Sequence, residues 1–343
     1  MNIQSPSPKM RWKKRPEGSN WGDFGPDDQL GRLNLITPEK VLEGIAEVRN
    51  GRTFSLSLPL DLPGGNILNP SRFPPKLQSN RTVNGDPTYL RTLMDEYSTT
   101  DVFCDDFVTM YLQYSTQWDS FAHVGSQFDA DDDGTAEIRF YNGFDSTGFE
   151  RGTDDASHAH KLGIESMAAH GVQGRAVLFD LRRHFGDERQ ALGYDALMQV
   201  INADNIEVRI GDMLCIHTGF ADLIAGMAGN PDPEFLANAC AVLDGRDQKL
   251  LNWIDESGVA AIIADNYAVE ARPYTFAGDG CCALLPLHEH CLFKLGIHLG
   301  ELWHLSPLAA ALHDEARSAF LLTAPPLRLP GAVGSPANPI ATI

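Results

Sequence analysis

Four residues within the run YLQYSTQWDSFAH (Tyr111–His123) carry groups that could act together: Gln113, Gln117, Asp119 and His123, spaced by four, two and four. Two amides, a carboxylate and an imidazole supply neutral and anionic oxygen donors beside a proton carrier that ordinarily titrates near 6.5. Tyr114, Trp118 and Phe121 flank them. Aromatic walls around a few convergent polar groups describe a small-molecule pocket. All four polar residues are odd-numbered, so an extended strand sets them on one face. A straight strand nevertheless spreads Gln113 and His123 over roughly 33 Å at ~3.3 Å per residue. A helix fails as well, because it places Asp119 about 200° round from Gln117. Convergence therefore requires a strand end and a turn. Taken singly, each residue has a bland role as exposed amide, turn cap or satisfied structural histidine; their company is what points to a site.

A second polar cluster, LHEHCLFKLGIHLGELWH (Leu287–His304), holds His288, His290, His298 and His304, four of the chain's 11 histidines, together with Glu301. His288-Glu289-His290 can chelate a metal from a strand, and the same pattern equally suits a solvated edge. His158-Ala159-His160 resembles it but sits in a polar, loop-like setting. His217-Thr218-Gly219 closes one apolar run, and its glycine lets backbone approach a ligand closely. Asp265-Asn266-Tyr267 closes another run, with Glu270 following; these are candidates for a pocket rim. Cys281 and Cys282 are adjacent, and no local base is available to activate either as a nucleophile.

The elements that must position these groups can be read from local pattern. Thr37-Pro38-Glu39 is a helix start, with a hydroxyl N-cap, proline at the first position and an acid in the first turn. That helix is expected to end near Val48, before Asn50-Gly51. Arg52–Leu58 alternates with period two and reads as a strand. Ala176–Leu181, Met213–Thr218 and Val259–Asp265 are compact apolar runs expected of buried strands. Ala319–Ala324 is a late strand, and helical patterns cover Tyr194–Ala203 and Asp247–Ser257. The alternation predicts an α/β domain with a mixed sheet. Residues 1–20 read as a polar tail and 21–343 as a single domain. The Pro/Gly/Asn-rich stretch 60–100 has the length of a functional cover or an arm, long enough to reach a neighbouring subunit. Neither of the common glycine-rich phosphate cradles is present.

Composition narrows the partners. The 343 residues carry 27 Lys and Arg against 46 Asp and Glu, a formal charge of −19. Such a surface repels nucleic-acid backbones and anionic membrane headgroups at long range. No uninterrupted apolar stretch approaches the length of a membrane span. Six cysteines without paired spacing fit a reducing compartment better than a disulfide-stapled one. The expectation is a cytoplasmic protein acting on a small molecule, without nucleic-acid or membrane partners.

The motif YLQYSTQWDSFAHV, the run LHEHCLFKLGIHLGE and the opening WGDFGPDDQLGRLNLITPE together resemble the cyclase-type metal-dependent hydrolases, a group that includes bacterial kynurenine formamidase and isatin hydrolase. The resemblance extends from about Trp21 to the C-terminal LRLPGAVGSPANPIA. Typical members carry H-x-G-T-H-x-D-x-P-x-H. This chain keeps Thr116, Asp119 and His123 of that signature, with Gln113 and Gln117 in place of the first two histidines, Ser115 for the glycine and Phe121 for the proline. The resulting Q-x-x-x-Q-x-D-x-x-x-H resembles the branch of zinc-dependent trans-dienelactone hydrolase.

The resemblance implies a swivelling β/β/α domain with a mixed central sheet and peripheral helices, commonly assembled as a homo-oligomer. It also implies a divalent metal, Zn or Mn, held by Gln113, Gln117, Asp119, His288 and Glu301, with His123 as acid/base. His288 is preferred to His290 as ligand because it follows Pro286-Leu287. Tyr114, Thr116, Trp118, Phe121 and His298 are expected around the substrate. Amide oxygens are harder donors than imidazoles, so the glutamines should weaken zinc and let manganese compete. Asp119 and Glu301 balance the charge of one dication. The implied activity is hydrolysis of a small cyclic ester or amide. A metal-assisted lyase or cyclase, and a non-catalytic binding protein on a degenerate hydrolase scaffold, are the competing readings.

Overall fold

A computed structural model describes residues 10–153, 156–272 and 282–343. Its centre is a nine-stranded mixed sheet built from β1 (Thr53–Ser55), β2 (Gln117–Asp119), β3 (Gln173–Asp180), β4 (Met213–His217), β5 (Ala261–Ala264), β6 (His298–Glu301), β7 (Ala319–Thr323), β8 (Gly334–Pro336) and β9 (Ile340–Thr342). The strand order is β1-β9-β7-β3-β4-β5-β6-β2-β8. The four central strands β3 to β6 run parallel; their neighbours on both sides are antiparallel.

Strands β3 to β5 are buried on both faces, which is why they read as continuous apolar runs. Along β3, Val177 and Phe179 enter one core, with Leu197 and Val200 of α2 (Tyr194–Ala203) and Leu250 and Ile254 of α3 (Gln248–Ser257). Ala176 and Leu178 enter the other, with Leu308, Ala311 and Leu312 of α4 (Ser306–Asp314). Helices therefore cover the two sheet faces, the architecture expected from the alternation. The first helix, α1, runs Pro38–Ala46, two residues shorter than expected, with the Thr37 side chain accepting from the Lys40 amide as its cap.

Two stretches differ from the sequence reading. Within the expected tail, the Trp12 ring packs edge-to-face on Trp21 at 5.6 Å, and the backbone amides of Lys13 and Lys14 donate to the carbonyl of Ala130. The stretch 60–100 is not a plain loop. Lys76–Ser79 pairs with Asp106–Thr109, and Tyr89–Thr92 pairs with Val102–Cys104, as two separate antiparallel ribbons. Polar and proline-rich composition masked these strands, which are only three or four residues long.

Candidate metal centre

The bend demanded by the spacing is present. Gln113 lies in the turn before β2, Gln117 and Asp119 lie on it, and the chain turns again at Phe121–His123. Strand β2 is held on one side by β6, with Glu301 opposite Gln117 and Leu299 opposite Asp119, and on the other by β8, with Gly334 opposite Asp119. Because side chains alternate, Gln117, Asp119 and Glu301 share one face while Trp118 takes the other. A Cβ on Gly334 would lie 2.5 Å from Gln113 Cγ, so glycine there makes room for the amide arm.

His288 reaches the same point from the short helical turn Pro286–His288, which continues into a π-helical stretch, Glu289–Leu295. Its Nε2 is 3.3 Å from Glu301 Oε1 and 4.0 Å from Asp119 Oδ2. One ligand atom from each of Asp119, His288 and Glu301 lies within 4.8 Å of the others, and all three residues are buried. Around them, Gln113 Nε2 donates to Asp119 Oδ1 and Gln117 Nε2 donates to Glu301 Oε2 at 3.1 Å. Gln117 Oε1 and Asp119 Oδ2 are buried without a hydrogen-bond partner among the described residues. Buried polar atoms are normally satisfied, and an unmet pair of oxygens beside an imidazole fits a cation. A divalent ion suits this donor set of two carboxylates, one imidazole and an amide oxygen.

Electrostatics agree. Burial pushes the Asp119 carboxyl up, only partly opposed by His123 and His288. Burial acts on Glu301 too, but the hydrogen bond and charge of His288 outweigh it and hold that carboxyl below the usual range. Burial depresses His288, yet Glu270 and Glu301 together push it up to about 10. Without a cation, the site thus retains a proton that an ion would displace.

Glu270 was expected on the pocket rim and has a different place. Its Oε1 sits 2.7 Å from His288 Nδ1, and its carboxylate also accepts from the amides of Leu287 and His288, each at 2.9 Å. That contact fixes the tautomer with Nδ1 protonated and turns Nε2 toward the carboxylates, the usual outer-shell arrangement of a ligating histidine. Nothing in the spacing of 18 residues signals it. Arg72, from the arm, was missed as well: its Nη1 donates to the Gln113 carbonyl at 2.6 Å, and its charge helps lower Glu301.

The remaining candidates divide. His123 is half-buried, and its charge bears on both Asp119 and Glu301. His290 points away, its Nε2 2.9 Å from the Leu251 carbonyl. His298 lies beneath the site with Nδ1 2.9 Å from the Asp119 carbonyl and its ring stacked on Phe121 at 4.0 Å. Three residues expected around the substrate have structural duties instead. Trp118 packs on Trp303 at 5.0 Å on the far face of the sheet and donates to the Ala324 carbonyl. Thr116 accepts from the Leu58 amide and donates to the Leu302 carbonyl. Tyr114 ties down Gly64 and Gly65 through its hydroxyl. The aromatic character that suggested a pocket wall serves the core here.

His217, at the end of β4, has Nδ1 2.8 Å from Asp180 and Nε2 2.9 Å from Ser306 Oγ, while Asp265 accepts from Thr218 and Gly219. These contacts brace the carboxyl ends of the parallel strands beside Glu301. His160 pairs with Glu150 at the surface. Cys282 is exposed and Cys281 lies outside the described residues.

The family model described as "Putative cyclase" matches residues 54–271, more than half of the chain and including Gln113–His123. The chain belongs to the cyclase family. A solved structure described as a novel cyclase is similar over 95% of this chain and 97% of its own, with 31% identity and a TM-score of 0.75. Isatin hydrolase A from Ralstonia solanacearum shares the fold at 16% identity and a TM-score of 0.54, over 89% of this chain and 97% of that one. Isatin hydrolase A from Labrenzia aggregata, bound to benzyl benzoate, does so at 12% and 0.55, over 88% and 97%. No curated protein matches. The matched family region ends before His288 and Glu301, so in this cyclase-family chain the second half of the site rests on geometry.

Proposed function

We propose that this cyclase-family protein is a metal-dependent hydrolase that opens a small cyclic ester or amide. The observation that carries the reading is the buried convergence of Asp119, His288 and Glu301, with Asp119 Oδ2 and Gln117 Oε1 lacking a hydrogen-bond partner among the described residues. The Q-x-x-x-Q-x-D-x-x-x-H pattern, resembling the dienelactone branch, supports a lactone as the ester.

Asp119, His288 and Glu301 would hold the ion, with Gln117 and Gln113 supplying amide oxygens. A divalent ion bound there, Zn or Mn, supplies acidity to water and polarises a scissile carbonyl. Glu270 keeps His288 in the tautomer that offers Nε2. His123, partly open to solvent where the ligands are closed off, takes the proton from the attacking water and returns it to the leaving oxygen or nitrogen. Hydrolysis opens the ring to a carboxylate bearing a free hydroxyl or amine.

The test is a panel of lactones, cyclic imides and aryl formamides turned over by metal-loaded protein in ¹⁸O-labelled water. Label in the product carboxylate supports hydrolysis. Turnover without label identifies a lyase or cyclase. Loss of ring-opened product across the panel, with metal bound, refutes this substrate class.

A further inference from the structure

The carboxyl ends of the parallel strands carry a second group of side chains, on the sheet face opposite the metal centre. Along β4, Leu214 and Ile216 enter the core beneath α2 and α3, so Met213, Cys215 and His217 face α4. The same alternation along β3 turns Asp180 to that side, and the register sets it directly beside His217. Asp119 and Glu301 lie across the sheet, since Trp118 fills the α4 side of β2. Ser306 opens α4 over the pair. Its Oγ is 2.9 Å from His217 Nε2, and His217 Nδ1 is 2.8 Å from Asp180 Oδ1. The Arg183 amide donates to the same Asp180 oxygen and orients it. Asp265, 4.0 Å from Nε2, is engaged by the amides of Thr218 and Gly219 and by the Thr218 hydroxyl, which leaves Nε2 to the serine. His217 is buried, while Ser306 is partly open to solvent.

We propose that Ser306, His217 and Asp180 form a nucleophilic triad, a second catalytic site that cleaves short-chain carboxylic esters independently of the metal centre. The chain of contacts is the one such chemistry requires: a carboxylate holds the imidazole with Nδ1 protonated, and Nε2 takes the hydroxyl proton. Ser306 Oγ bonds to the ester carbonyl carbon as its proton passes to His217 Nε2. The carbon–alkoxy bond then breaks, and the leaving alkoxide takes that proton. Water, giving a proton to the same nitrogen, cleaves the acyl–Oγ bond and releases the carboxylic acid with the serine restored. The amides of Ser306 and Leu308, in the first turn of α4, donate to no carbonyl among the described residues. A helix N-terminus with open amides favours the negative oxygen of the tetrahedral intermediate. Neighbouring space sets the substrate size. Asp180 also lines a cavity of about 250 Å³ whose apolar wall is Leu178, Ala309 and Leu312, and Ala309 lies one turn along α4 from Ser306. That volume takes a small acyl chain.

The test treats the full chain, with and without EDTA, with a fluorophosphonate probe read by intact mass and peptide mapping, and follows hydrolysis of p-nitrophenyl acetate. One adduct per chain should form on Ser306 under both conditions, and ester turnover should stop as it forms. Ser306→Ala should take no adduct and lose about 10³-fold or more of that turnover, with unchanged circular dichroism. Asp180→Asn keeps an oxygen for the Arg183 amide but no longer holds the imidazole in the right tautomer, so labelling of Ser306 should slow by about 10⁴-fold. It is the second variant if Ser306→Ala does not fold. A wild type that takes no adduct on Ser306 overturns the proposal. So does a folded Ser306→Ala that keeps ester turnover, or a folded Asp180→Asn labelled at the wild-type rate.

Discussion

At the scale of single residues, the site separates groups that hold from groups that move protons. His123 stands apart from the buried ligands, so His123→Ala should lower kcat by about 10²- to 10⁴-fold while bound metal, read by elemental analysis, stays at the wild-type level. Glu270 acts through His288. Glu270→Gln should weaken metal binding by about 10- to 100-fold in a chelator competition, because the imidazole loses the anion that orients it. The competition should also depend on pH with a definite sign. An entering ion displaces the proton that His288 holds up to about 10, so affinity should fall about tenfold for each pH unit lowered beneath that value. The four polar residues of Gln113–His123 were legible from sequence because all lie within 11 residues around one short strand. Glu270 and Arg72 were not, because their contacts span 18 and 41 positions and depend on how β5, the arm and the 286–288 turn meet.

At the scale of elements, β2 is a three-residue strand clamped between β6 and β8, and its far face anchors the site. Trp303 Nε1 donates to the Gln117 carbonyl at 3.0 Å while its ring packs on Trp118. Trp303→Ala should cost about 3–5 kcal/mol in denaturant unfolding and loosen metal binding together with stability. A residue of the opposite core, such as Ile254 of α3, should lower stability without that metal effect. The buried strands β3 to β5 and the helices Tyr194–Ala203 and Gln248–Ser257 were readable, since apolar runs and helical periodicity are local signals. The ribbons at 76–109 were not, because strands this short carry too little pattern. Trp118 misled for a related reason: aromatic composition does not reveal which face of a strand is the core, and one-residue alternation decides it.

At the scale of the whole molecule, several buried groups make the fold sensitive to acid. Burial lowers His290 and His298 to about 4, whereas an unfolded histidine titrates near 6.5. The unfolded chain therefore binds protons that the folded chain refuses, and stability should decline as pH falls from 6.5 toward 4, by up to roughly 3 kcal/mol per residue. His288 does not offset this loss. Its raised value adds stability between about 10 and 6.5, and that gain is complete before the acid window begins. Urea midpoints between pH 7 and 4.5 read the slope directly. No described helix is long and apolar enough to cross a membrane. The account as a whole depends on one ion gripped between β2, β6 and the turn bearing His288. Elemental analysis after dialysis against Zn²⁺ or Mn²⁺ tests it most directly. The wild type should retain about one ion per chain, and Asp119→Ala and Glu301→Ala should each lose it while remaining folded. A folded wild type without bound metal, or variants that keep it, would contradict the account.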